Sequence, residues 1–210
     1  MKLIGSAVRV FGPVQIADDV LIEDGVVVGH PSAEEVLMAK DCSSCTTLED
    51  FYQSIVRRAT VIGKGAKIRS GTVIYSGCII GKNFDCGHNV LVRENVRIGD
   101  NTYVKSFTEI MKNVFVGSNC RLAGVISDNT VLEDCVSSFG ILTHKYEKHY
   151  TPDMSQQKGP LLLSGCIVGR GAVVLGQVEI GENAIIGANA FVNFNVPAGA
   201  RVVGPKAQQR

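Results

Sequence analysis

A histidine closes the segment Gly140–Ile141–Leu142–Thr143–His144, and the stretch after it, Lys145 to Pro160, is polar and aromatic where the chain before it is aliphatic. Histidine titrates near neutral pH, so one held on a firm edge beside a loop can take a proton from a hydroxyl or an amine. His88 is a second candidate, in Cys86–Gly87–His88–Asn89, with Arg93 and Glu94 a few residues on. Cys42 and Cys45 form a CxxC. Lacking a second pair or a nearby histidine pair, it reads as two reduced loop cysteines rather than a zinc site.

The frame that must position these groups is a repeat. Ile62, Ile68, Ile74, Ile80, Cys86, Val92, Ile98, Val104, Ile110, Val116 and Leu122 are spaced by six, and every one is small-apolar or aliphatic. The series recurs before this block, at Ile4, Val10, Ile16, Ile22 and Val28. It recurs after it, at Leu162, Val168, Val174, Ile180, Ile186 and Val192. Six is neither the 3.6 of a helix nor the 2.0 of a strand, so it marks a structural repeat. Four residues beyond the anchors comes a second inward wall of small or apolar residues, among them Ala66, Phe84, Val96, Ala172 and Ala190. Three beyond them come Gly or Asn (Gly65, Gly71, Asn83, Asn101), the types that accept positive φ at a tight corner. Each six residues therefore hold a short strand and a turn, three such units close a coil of 18, and stacked coils make a parallel β-helix. A turn residue then meets its counterparts 18 positions away, which stacks His88 between Ser70 and Ser106, and Glu94 on Lys112.

Composition agrees with this frame. The chain has 210 residues, 45% hydrophobic but only 6% aromatic and without Trp, as suits a narrow prism filled by Ile, Val, Leu and Ala. Lys+Arg number 21 against 20 Asp+Glu, so no overall charge draws it to nucleic acid or an anionic membrane. There is no apolar signal-type start and no run near the ~18 residues of a transmembrane helix, which predicts a cytoplasmic protein. Cys78, Cys86, Cys120 and Cys166 fall on inward positions, where a thiol acts as a small hydrophobe.

Interruptions of the repeat are where discrimination can arise, because loops ejected from a rigid scaffold vary while coils do not. The first runs from about His30 to Ala59 and opens with Ser32 and Glu35, a cap and its third residue, for a short helix. Thr47–Val56 reads equally as a second short helix or an extended crossing. At the second, Leu122 to Ile126, the step is four instead of six before Leu132 and Ser138 restore the period. The third is Lys145 to Pro160. This divides the chain into N-terminal β-helical coils (1–29), an insertion (30–59), a main β-helix (60–197) and a short tail (198–210).

Ile98–Gly99–Asp100–Asn101, Val116–Gly117–Ser118–Asn119, Ile180–Gly181–Glu182–Asn183 and Ile186–Gly187–Ala188–Asn189 resemble the hexapeptide repeats of the left-handed β-helix acyltransferases. The resemblance, not the period, supplies the left hand. Thr143–His144 at a coil edge, the excursion, Gly159–Pro160 and the closely spaced repeats up to Asn195–Val196–Pro197 are similar to the galactoside, maltose and xenobiotic O-acetyltransferases. That similarity implies that His144 is the general base. Ile68 to Tyr75 and Cys86 to Asn95 are similar to N-acetyltransferases acting on nucleotide-linked amino sugars, which implies sugar- or nucleotide-contacting roles for His88, Arg93 and Glu94. Unlike many of those relatives, this chain carries Thr143–His144 instead of Asn-Asp before the long loop.

The resemblance further implies acetyl-CoA as co-substrate, with its pantetheine arm along Gly169, Gly187 and Ala188 and its phosphates near Lys206 or Arg201. It implies no tightly bound metal, and a homotrimer with active sites at subunit boundaries. Val27, Val73, Leu91, Tyr103 and Phe115, at outward positions, would make an apolar prism face in need of a cover. The expected activity is transfer of an acyl group, most simply acetyl, to an amino or hydroxyl group of a sugar or nucleotide-linked sugar. Two alternatives stay open. One is a β-helix similar to the γ-class carbonic anhydrases, with His144 and His149 joined by His88 or His30 at a metal. The other is a non-catalytic scaffold subunit.

Overall fold

The computed structural model describes residues 1–39, 45–145 and 158–204. Short parallel strands succeed one another around three sheets, with ten, nine and eight strands among the described residues. The first coil sets the pattern. Leu3–Ile4 belongs to sheet A, Arg9–Val10 to sheet B and Val14–Ile16 to sheet C, and the next coil repeats the order. This is a hexapeptide-repeat parallel β-helix of about ten turns, consistent with the left-handed form. Three edges follow: A–B, B–C and C–A.

The anchors face inward as the period requires. All eleven from Ile62 to Leu122 are at most 3% exposed, and Val8, Val14, Ile16, Ala200 and Val202 close the ends of the same apolar column. Ile4 and Val10 depart from this: they lie in the first coil, at the end of the tube, and are 44% and 41% exposed. The corners obey the chemistry of positive φ, with Gly65, Gly71, Gly77 and Asn83 to Asn119 in the left-handed region. Amide side chains on the C–A edge form a ladder, Asn83 donating to Asn101 (3.0 Å) and Asn101 to Asn119 (3.3 Å). Phe107 (φ 61°) and Cys135 (φ 62°) occupy the same kind of corner without a side chain that suits it.

Both long excursions leave the B–C edge. The first follows Val27–His30 and the second follows Ile141–Thr143. Strands of residues 1–29 pair directly with strands beyond residue 60, Leu21 with Lys67 and Val27 with Val73, so the sheets run on past the insertion. The insertion holds α1 (Ala33–Met38), capped by Ser32 and Glu35 as expected, and α2 (Leu48–Ile55), so the open choice at 47–56 falls to helix. A capping box between Thr47 and Asp50 starts α2. Tyr52, Ile55 and Val56 pack on Phe11, Val27 and Val73, covering that part of sheet B.

Three expectations need correction. The apolar outward residues do not share a face: Val27, Val73 and Leu91 lie on sheet B, Tyr103 on sheet A and Phe115 on sheet C, because residues a multiple of six but not of 18 apart fall on different sides. The four-residue step also occurs twice, at Leu122–Ile126 and again at Ser138–Leu142, both at the A–B edge. Cys45 is disulfide-bonded rather than reduced; Cys42 lies outside the described residues.

Candidate functional site

The second shortened corner, Ser138–Leu142, decides what lies beneath His144. Three regular units would put Ile126 there, but the sheet B register pairs Val125 with Ile141 and Ile126 with Leu142, a spacing of 16. Asp128 therefore occupies the rung below His144 at the same turn position, two residues past its anchor. One rung is about 4.8 Å. Asp128 Oδ1 accepts the Lys112 backbone N–H at 3.1 Å, which fixes the carboxylate. His144 is half-buried with Nδ1 enclosed. The chain returns from the excursion over this turn: Val131 N–H donates to Pro160 O at 3.1 Å, and a Cβ on Gly159 would stand 2.9 Å from Asp128 O. His144, a fixed carboxylate and the start of the second excursion thus lie on adjacent rungs of the B–C edge. An imidazole so placed can remove a proton from a hydroxyl or amine while the carboxylate steadies the cation that forms.

Arg93 and Glu94 lie on the same edge, three rungs away through Glu109, Val125 and Ile141. Lys112 is on the rung next to Glu94, but the carboxylate of Glu94 is held by Arg93, at 2.8 and 3.2 Å, rather than by that lysine. Arg93 also stacks over the Tyr75 ring at 4.8 Å, and the His30 ring tilts against that same Tyr75 ring at 4.6 Å. Burial, assisted by the charges of Arg9 and Arg93, holds the His30 imidazole below its ordinary pKa.

The first insertion is pinned to this edge through Glu35. Its carboxylate accepts from Ser32 N–H and from the Ser76 hydroxyl, and pairs with Arg58 at 3.3 Å. Arg58 donates onward to Asn95 Oδ1, which starts a ladder through Asn113 to Asn129. Burial alone would raise the pKa of Glu35, but the Ser76, Ser32 and Arg58 hydrogen bonds and the Arg58 charge outweigh it and bring it to about 2.

His88 is elsewhere. It sits on the A–B edge, six positions from Glu94 and hence one side of the prism away. Its stacking is as expected, with Nδ1 2.9 Å from Ser70 Oγ and its N–H donating to Ser106 Oγ at 3.0 Å; Glu23 Oε2 lies 3.8 Å from Nδ1. Gly169, Gly187 and Ala188 share that A–B edge, higher in the stack. Coil stacking already requires smallness there, since a Cβ on Gly169 would stand 2.6 Å from Ala188 N. Lys206 lies outside the described residues, as does His149. Among the described histidines, His30 and His144 are five rungs apart on one edge and His88 is on another, and no group of three metal-ligating side chains forms among the described residues. A uniform 18-residue coil hides Asp128 in the sequence, and the signal that reveals it is the second four-residue step, from Ser138 to Leu142.

Residues 160–193 match the family model described as "Bacterial transferase hexapeptide (six repeats)". A serine acetyltransferase of Buchnera aphidicola subsp. Acyrthosiphon pisum is 33% identical over 105 residues, covering 48% of this chain and 37% of that protein. A serine acetyltransferase of Helicobacter pylori (strain 26695) is 34% identical over 84 residues, 40% of this chain and 47% of that one. The chain thus spans less than half the length of these curated relatives. Among solved structures, a Francisella novicida UDP-N-acetylglucosamine acyltransferase aligns over 96% of this chain and 67% of its own, at 18% identity and a TM-score of 0.47.

Proposed function

We propose that this chain is a CoA-dependent acyltransferase that moves an acetyl group from acetyl-CoA to the amino or hydroxyl group of a small polar acceptor, with His144 as general base. The observation that carries this is the position of His144 above Asp128, where the second excursion leaves the B–C edge. The matched hexapeptide repeats and the serine acetyltransferase relatives support the reaction class. In this reading the nucleophile's proton passes to His144, the acceptor's oxygen or nitrogen bonds to the thioester carbon, and the C–S bond breaks to release CoA thiol, which takes up the proton.

The residues meant for the donor, Gly169, Gly187 and Ala188, stand on the A–B edge, not beside His144. One chain does not bring the two together; a neighbouring copy presenting its A–B edge to this B–C edge would, which supports a trimer with shared sites. The acceptor is either an amino or hydroxyl group of a sugar, nucleotide-linked or free, or the hydroxyl of serine, on which the relatives' names centre. Acetyl-CoA consumption should be measured against L-serine, free amino sugars and nucleotide-linked amino sugars, with the parent and His144→Ala. Turnover on one of these that falls ~100-fold or more in the variant fits the proposal. Undiminished turnover in His144→Ala rules that base out, and no turnover with any acceptor removes the transferase reading.

A further inference from the structure

The two shortened corners make a recess that the proposed chemistry does not use. On the A–B edge, the rungs that end in Leu122 and Ser138 reach sheet B in four residues instead of six. The backbone is drawn in so closely that a Cβ on Gly124 would stand 2.2 Å from Gly140 O. Full corners stand on either side, Lys105–Ser106–Phe107 below and Gly169–Arg170–Gly171 above. The recess between them is two rungs tall, roughly 10 Å.

What lines it is not what a bare β-helix needs. Phe107 takes φ 61° at a position filled elsewhere on this edge by Gly25, Gly71, Asn89 and Gly171, and the residue is 75% exposed. A bulky residue in the left-handed region costs on the order of 1–2 kcal/mol, and burial returns nothing here, so packing does not explain the choice. Lys105 reaches across the shortened rung to place Nζ 5.0 Å from the centre of the Phe139 ring. Among the described residues neither Lys105 nor Arg170 has a carboxylate within ion-pair distance. Two aromatic rings and two uncompensated cations at one indentation match a planar ring that carries an anionic group.

We infer that this recess binds a nucleoside phosphate, the base stacking on Phe107 and the phosphate meeting Lys105 and Arg170. A nucleoside phosphate could be the nucleotide half of the acyl donor or the nucleotide of a linked acceptor. That choice rests on the transferase reading; the recess does not.

Binding should be measured by calorimetry on the full chain, with adenosine 3′,5′-bisphosphate and, separately, UDP. Phe107→Asn is the informative variant, because Asn suits the left-handed corner: it should melt at or above the parent temperature and yet bind roughly tenfold more weakly, the loss of one stacked base. Lys105→Ala should also weaken binding and flatten its dependence on salt. Preference for the bisphosphate assigns the recess to the donor, and preference for UDP to the acceptor. If neither nucleotide binds the parent, or if Phe107→Asn binds as the parent does, the inference is overturned. His144→Ala should bind nucleotide normally, so failure of acetyl transfer and failure of this site are read separately.

Discussion

Asp128 and His144 occupy the same turn position in adjacent coils because the coil between them has 16 residues rather than 18. The pairing depends on both excised corner residues, which links a deletion on the A–B edge to chemistry on the B–C edge. Asp128→Asn keeps the shape and removes the charge. It should lower kcat at least about tenfold with little change in KM, while leaving the melting temperature nearly unchanged. Equal loss of stability and activity would instead make Asp128 a purely structural residue.

Gly124 has φ +92° and no room for a Cβ, which would meet the backbone oxygen of Gly140. Gly124→Ala should therefore cost about 2–4 kcal/mol, from strain and displaced backbone together. Chemical denaturation should show the drop, whereas Gly199→Ala, with nothing within 4 Å, should cost only its positive-φ strain.

Glu35 links the insertion to the prism, and its folded pKa of about 2 is depressed from 4.5. A depressed carboxylate stabilises the fold above its unfolded pKa and loses that contribution as pH falls through the folded value. Glu35→Gln should therefore be clearly less stable than the parent at pH 7, and the gap should narrow between about pH 4.5 and 2. Hydrogen exchange in α1 and α2 should rise in the variant while the amides of the main prism stay protected.

Cys135 is exposed and holds φ 62° on the edge whose neighbouring corner residues form the asparagine ladder. Cys135→Asn should raise stability by about 0.5–1 kcal/mol, a rise of some 2 °C in Tm. Burial pushes the Cys78 and Cys166 thiols up to about 12, so a thiol reagent at pH 8 should label Cys135 in the native protein and leave those two unmodified until it unfolds.

Much of this molecule is legible in its residues. Ile62 to Leu122 state the period, the Gly and Asn corners state where the chain turns, and Ser32 with Glu35 announces α1. Each is a local requirement: a side chain either fits inside a narrow prism, or accepts positive φ, or caps a helix. Position around the prism is legible too, since 18 residues return to the same edge; that arithmetic separates His88 from Glu94 and puts Tyr103 and Phe115 on different faces. The second short step is harder to see, because its first anchor, Ser138, is polar and an unbroken step of six from it falls on His144.

The sequence by itself determined the repeat, the inward and outward alternation, and His144 at the exit of the long excursion, because these follow from the identity and spacing of neighbours along the chain. Only the tertiary structure decided that both excursions leave one edge, that Asp128 lies under His144, that Arg93 is engaged by Glu94 and Tyr75, and that Lys105, Phe107 and Phe139 border one recess. Those relations depend on how many residues each coil spends at its corners. Parallel pairing carries every such local omission through all the rungs stacked on it.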